Sequence, residues 1–114
     1  MGRGAKFYNL SMYRVDLTGP ADKAWGQRLK KDPVLYIQIE DALAQLAEDP
    51  LHPSLRSHRF HQMKGPQGQP IWESYVTQGG AAWRIWWCYG PDEVDPDTEK
   101  PIQVITVVAI GPHP

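Results

Sequence analysis

Residues 81–114 read AAWRIWWCYG (81–90), PDEVDPDTEKP (91–101) and IQVITVVAIGPHP (102–114). A tryptophan-rich run, an acidic turn and a Val/Ile-rich run follow one another and end in Gly-Pro-His. As a β-strand, the first run puts Trp83, Ile85, Trp87 and Tyr89 on one side and Arg84, Trp86 and Cys88 on the other, because side chains alternate across a sheet. One side is wholly apolar; the other carries a single guanidinium. This contrast predicts a sheet with one face packed on a core and the other presenting a charge to a ligand. The last run is almost continuously apolar from Ile102 to Ile110, which predicts a central strand buried on both faces.

Further strands precede these. One is expected over His58 to Lys64, ended by Gly65-Pro66-Gln67-Gly68, and another over Ile71 to Thr77, ended by Gly79-Gly80. Their short connections predict a largely antiparallel meander. Upstream, Tyr8 to Asp16 is expected to form a first strand, and Thr18-Gly19-Pro20 to start a helix with Ala21, Ala24, Trp25 and Leu29 as its buried stripe. Asp32-Pro33 opens a second helix, in which Leu35, Ile39, Ala42, Leu43 and Leu46 share one face; Pro50 and Pro53 end it. Two helices with almost no loop between them must fold back on each other. The expected fold class is α+β, ordered β-α-α-β-β-β-β, with a helical hairpin on one face of a twisted, mainly antiparallel sheet and one domain over 1–114.

Composition narrows the function classes. The chain has 114 residues, 41% of them hydrophobic, enough for a core of its own. No apolar run approaches the ~18–20 residues of a membrane-spanning helix, and the opening MGRGAKFYNLSMYRV lacks a signal-peptide core, so a cytoplasmic protein without membrane contact is expected. The single cysteine, Cys88, excludes an internal disulfide and a cysteine-based zinc cluster; it reads as inert packing, and no metal or cofactor is expected. The net charge of −1 hides an uneven distribution. Asp92, Glu93, Asp95, Asp97 and Glu99 crowd one loop, whereas Arg56, Arg59, Lys64 and Arg84, with His58 and His61, face only Glu73 between residues 56 and 84.

Several stretches together resemble the RelE/ParE toxin superfamily of bacterial toxin–antitoxin systems: DPLHPSLRSHRFHQMKG, IWESYV, AAWRIWWCYG and VITVVAIGPHP. They look like a helix ending before a proline-rich turn, a strand ending in Lys-Gly, a Trp-Glu strand, an arginine-bearing aromatic strand, and a closing strand followed by Gly and His. The match covers Met12 to Pro114, and Trp72-Glu73 is closest to the HigB-like branch. The resemblance implies a toxin held by a cognate antitoxin. Many members are endoribonucleases that cut mRNA on the ribosome; ParE-like members inhibit DNA gyrase and cut nothing, so the fold alone does not choose between them.

Metal-independent RNA cleavage needs a base for the ribose 2′-OH, cations for the charged phosphorane and an acid for the 5′-oxygen. Arg84 matches the family's fourth-strand arginine and is the expected phosphate ligand; an arginine simply paired with Glu73 or lying over Trp86 would look the same in sequence. His113 matches a histidine after the last strand, an acid or base candidate. His58 is a second base candidate, and it shares a side with Lys64 if its strand is regular, with His61 opposite. RelE-like lysines on the third strand are replaced here by Glu73 and Tyr75, so a lysine mechanism is not expected, and Glu73 is assigned to orient Arg84 or to act as a base. Lys64, Arg56, Arg59 and His61 are expected RNA-backbone contacts and Trp86 a base-stacking surface. The acidic loop and the missing lysines favour the alternative, a non-catalytic toxin or binding module acting on a protein such as gyrase.

Overall fold

The computed structural model describes residues 12–79 and 81–113. The chain order is β1 (Arg14–Leu17), α1 (Gly19–Gly26), α2 (Arg28–Lys31), α3 (Pro33–Glu48), a single 3-10 turn (Pro53–Leu55), β2 (His58–Lys64), β3 (Pro70–Tyr75), β4 (Trp83–Tyr89), β5 (Glu93–Val94), β6 (Pro101–Ile102) and β7 (Val104–Pro112). Five strands form one sheet in the order β1-β7-β4-β3-β2. All neighbours are antiparallel except β1 and β7, which run parallel; the helices carry the chain from β1 at one edge to β2 at the other. The architecture is the expected α+β one, with β7 interior to the sheet.

Local chemistry explains the helices. Thr18 caps α1, its hydroxyl accepting from the Ala21 amide, and Pro20 sits in the first turn where no amide donor is needed. Asp32 caps α3 by accepting from the Leu35 amide at 3.2 Å. The α3 face of Leu35, Ile39, Ala42, Leu43 and Leu46 is buried as expected. The first helix is not continuous. It breaks at Gln27 and resumes as α2, which rotates Leu29 out of the stripe and leaves it 58% exposed. Trp25 still anchors the hairpin by stacking on Tyr36 and donating its indole N–H to the Tyr36 carbonyl. The expected first strand is shorter, Arg14–Leu17; its Tyr8–Ser11 portion lies outside the described residues.

Alternation along β4 divides the sheet as predicted. Ile85 and Trp87 join Val15, Leu17, Ile105, Val107 and the helices in the main core, whereas Trp86 and Cys88 pack with Ile71, Phe60 and Met63 on the opposite, open face. Burial pushes the Cys88 thiol up, in keeping with inert packing. The last strand carries a feature that apolarity alone does not reveal. Trp87 pairs with Val107 but Trp86 pairs with Ala109, so Val108 is an extra residue, a β-bulge. Before it, Ile105 and Val107 face the helices. After it, Ile110 faces them, and Ala109 and Gly111 lie beside Trp86 and Arg84 on the open face. Thr18 holds the bulge, its amide donating to the Val107 carbonyl and its hydroxyl to the Val108 carbonyl, each at 3.0 Å. The acidic segment forms its own small hairpin, β5–β6. Arg14 ties that hairpin to β1 by bonding both Asp16 and Glu93; the same contact holds the Glu93 carboxyl below its ordinary range.

A buried hydrogen-bond chain joins sheet to turn. The Trp87 indole N–H donates to Ser74 Oγ, Ser74 and Ser57 hydroxyls meet at 2.7 Å, and Ser57 donates to the Pro50 carbonyl. Ser74 and Trp87 are both fully buried. Ser74→Ala strips the indole N–H of its acceptor, so urea unfolding should show a loss of about 1–3 kcal/mol at unchanged m-value. A loss below about 0.5 kcal/mol, the range of ordinary surface changes, would mean that the chain of hydroxyls does not hold the turn to the sheet.

Candidate active site on the open sheet face

The open face carries a charged cluster built from three adjacent strands. Glu73 of β3 sits between two cross-strand partners, His58 of β2 and Trp86 of β4, and Arg84 of β4 pairs with Tyr75 of β3. Directly paired residues share a face, so His58, Glu73, Tyr75, Arg84 and Trp86 are brought together by register alone. Glu73 Oε1 is hydrogen-bonded to His58 Nε2 at 2.7 Å and lies 3.3 Å from Arg84 Nη1 in an ion pair. The Arg84 guanidinium lies flat enough on Tyr75 to put its carbon 3.9 Å from the ring centroid. Arg56 approaches the same ring at 5.2 Å while donating to the Gln78 side chain.

The centre of the cluster is closed to solvent, with His58 exposed at its edge. Glu73 is 2% exposed, Trp86 6% and Arg84 9%. The sequence predicts a guanidinium presented to ligand; the structure instead seals it against Glu73 and Tyr75. Three polar atoms in this patch are buried without a hydrogen-bond partner: Glu73 Oε2, Arg84 Nε and Trp86 Nε1. A buried polar atom without a partner costs on the order of 1–3 kcal/mol, and three in adjacent positions form a ready set of one acceptor and two donors. A ligand offering a hydroxyl and anionic oxygens would satisfy all of them.

The other predicted residues are distributed by the two bulges. His113 follows β7, and its amide continues the ladder by donating to the Ala82 carbonyl at 2.9 Å. Counting from Ala109 and Gly111, alternation after the bulge places it on the side of Arg84; without Val108 the same count would send it toward the helices. In β2 the register jumps between Phe60, paired with Ile71, and Lys64, paired with Pro70. The strand is therefore irregular, and Lys64 falls on the side of Trp72, not on the side of His58. His61 is exposed in the bulged stretch. Arg59 pairs with Trp72 and lays its guanidinium 5.9 Å from that ring, on the face opposite the cluster. Arg56 is the one predicted backbone contact that joins the cluster. The stacking surface expected of Trp86 is not on offer, since its ring is covered with Phe60 against it at 5.9 Å. What Trp86 offers is an unpaired N–H. Tyr75 is the member that sequence reasoning left out of the site, although it shares the parity of Ile71 and Glu73 along β3.

Among the described residues, no group of His, Cys, Asp and Glu is arranged to hold a metal ion, and no helix is long and apolar enough to cross a membrane. A buried ion pair is most sensitive to losing one member. Glu73→Ala leaves the Arg84 guanidinium buried and unpaired and should cost about 3–5 kcal/mol in denaturant unfolding. Adding Arg84→Met to that variant should recover most of the loss, a coupling that a double-mutant cycle measures. Additive losses would show that the pair does not act as a unit.

Searched by sequence, the chain matches no family model and no curated protein. Compared by structure, it is similar to a YoeB/ParE toxin from Agrobacterium tumefaciens, with a TM-score of 0.63 and 14% identity, over 88% of this chain and 98% of that one. A likeness at that identity shows the fold: the α+β chain described above has the RelE/ParE-like fold.

Proposed function

We propose that this protein is the toxin component of a type II toxin–antitoxin pair, a metal-independent mRNA endoribonuclease acting at the ribosome and neutralised by a cognate antitoxin. The HigB-like assignment of Trp72-Glu73 is part of the same reading. The observation that carries it is the Glu73–Arg84 pair: a buried carboxylate with one oxygen engaged by Arg84 and His58 and the other unpaired, beside a guanidinium with an unpaired N–H. The likeness to the YoeB/ParE toxin supports the class.

The chemistry follows from the donor set. Glu73 Oε2 takes the proton of the ribose 2′-OH as that oxygen bonds to phosphorus. Arg84, its charge concentrated by a water-poor site, donates to the non-bridging oxygens as negative charge accumulates on them. The P–O5′ bond breaks, His113 delivers a proton to the leaving oxygen, and the products are a 2′,3′-cyclic phosphate and a 5′-hydroxyl. Arg56, exposed beside Tyr75, supplies long-range attraction for the RNA backbone without base choice. Binding requires the Arg84–Glu73 contact to loosen, and an incoming phosphate is a stronger partner for a guanidinium than a shared carboxylate oxygen at 3.3 Å.

One observation favours a second reading. Arg84 is almost wholly buried and already neutralised, which suits a ParE-like toxin that blocks a protein such as DNA gyrase and has no use for the cluster beyond stability. Induction in a bacterial host separates the two. With the ribonuclease, growth arrest is accompanied by new cuts within reading frames on primer extension, and Arg84→Ala, checked for folding by circular dichroism, loses both, with cleavage down at least about 10²-fold. Arrest that survives Arg84→Ala without cuts would transfer the assignment to a protein target.

A further inference from the structure

Both ring nitrogens of His58 face acceptors. Nδ1 lies 3.0 Å from the Arg56 carbonyl oxygen, and Nε2 lies 2.7 Å from Glu73 Oε1. A carbonyl only accepts, which calls for a hydrogen on Nδ1, and an ionised carboxylate only accepts as well, which calls for a second on Nε2: the two contacts fit a ring with hydrogen on both nitrogens. The opposite assignment, a neutral ring accepting from a protonated Glu73, would set an uncharged carboxyl against the Arg84 guanidinium that shares the same oxygen, forfeiting two charge-assisted contacts. The charged and titratable groups facing the ring are Glu73 and Tyr75 from β3, with Arg84 behind Glu73 from β4 and Arg56 from the turn before β2. The Arg56 carbonyl reaches Nδ1 because Arg56 adopts a left-handed backbone, φ 50°, as it leaves the 3-10 turn. That conformation is uncommon for a residue with a side chain.

We propose that His58 is a positioning residue: an imidazolium clamp between the Arg56 carbonyl and Glu73 Oε1 that holds the carboxylate with Oε2 free to take the ribose proton. This rests on the ribonuclease reading above and refines it. His58 is a base candidate by sequence, yet a ring with hydrogen on both nitrogens has no lone pair to receive a proton. Glu73 is then the base, and His58 decides which of its oxygens meets the substrate.

Two substitutions separate clamp from base. The amide of His58→Gln still donates to Glu73 but cannot act as a base; His58→Leu does neither. With ribosomes programmed with mRNA, His58→Gln should stay within about tenfold of wild-type kcat, whereas His58→Leu should fall on the order of 10²-fold at unchanged KM, the scale of a misplaced reacting group. Equal losses in both would make His58 the base, and no loss in either would make it an ordinary surface residue; each overturns the clamp. A second readout does not need catalysis. Ring ¹⁵N spectra just below neutral pH should show both His58 nitrogens protonated in the wild type, with the Nε2 proton lost to fast exchange in Glu73→Gln. A bare Nε2 in the wild type overturns the proposal. Because that spectrum is informative whether or not RNA is cut, a wild type that fails to cleave counts against the ribonuclease reading alone.

Discussion

The open face of the sheet depends on one extra residue in β7. Side chains in a strand alternate with period two, so a single inserted residue exchanges the two faces for everything beyond it. Val108 makes that exchange. It keeps Ile105 and Val107 in the core on one side of the insertion and Ile110 in the core on the other, and it sends Ala109, Gly111 and, by continuation, His113 to the face of Arg84. The bulge is locked by Thr18, which bonds both of its carbonyls while also capping α1. Start of helix, parallel edge strand and end of β7 are thereby fixed to one another through one residue.

What that constraint assembles is an energetically exposed patch. On the helix-facing side apolar packing surrounds the Trp87–Ser74–Ser57–Pro50 chain, and among the described residues only Arg28 Nε, its guanidinium over Trp83, is buried there without a partner. The other side buries a carboxylate, a guanidinium and an indole N–H and leaves one polar atom of each without a partner. Desolvating such groups opposes folding, and the mutual attraction of Glu73 and Arg84 only partly offsets it. Three of the four such atoms among the described residues lie in this one patch, and local frustration so concentrated is the expected signature of a place kept for a ligand.

Much of this is legible in the sequence alone. The alternation of β4 assigned its two faces, the α3 stripe named its buried residues, and β2 and β4 have the expected limits. Arg84, Glu73 and His58 were candidates by sequence, and register joins them. The failures share one physical origin, which is that local irregularity leaves little trace in hydrophobic periodicity. The break at Gln27 exposes Leu29, and the jump in β2 parts Lys64 from His58. The bulge at Val108 sits inside a run so uniformly apolar that no alternation marks it. Burial of the arginine leaves as little trace in the sequence. An arginine beside tryptophans looks presented until a glutamate and a tyrosine on the next strand are known to lie directly over it.

That the open face engages RNA is tested most directly by amide NMR with a short RNA carrying 2′-O-methyl groups, which supplies phosphates and bases but no attacking hydroxyl. Shifts centred on Glu73, Tyr75, Arg84 and Gly111, weakening steeply with added salt, are the predicted result. Shifts confined to α1–α3, or none at all, would contradict the assignment of this face to nucleic acid.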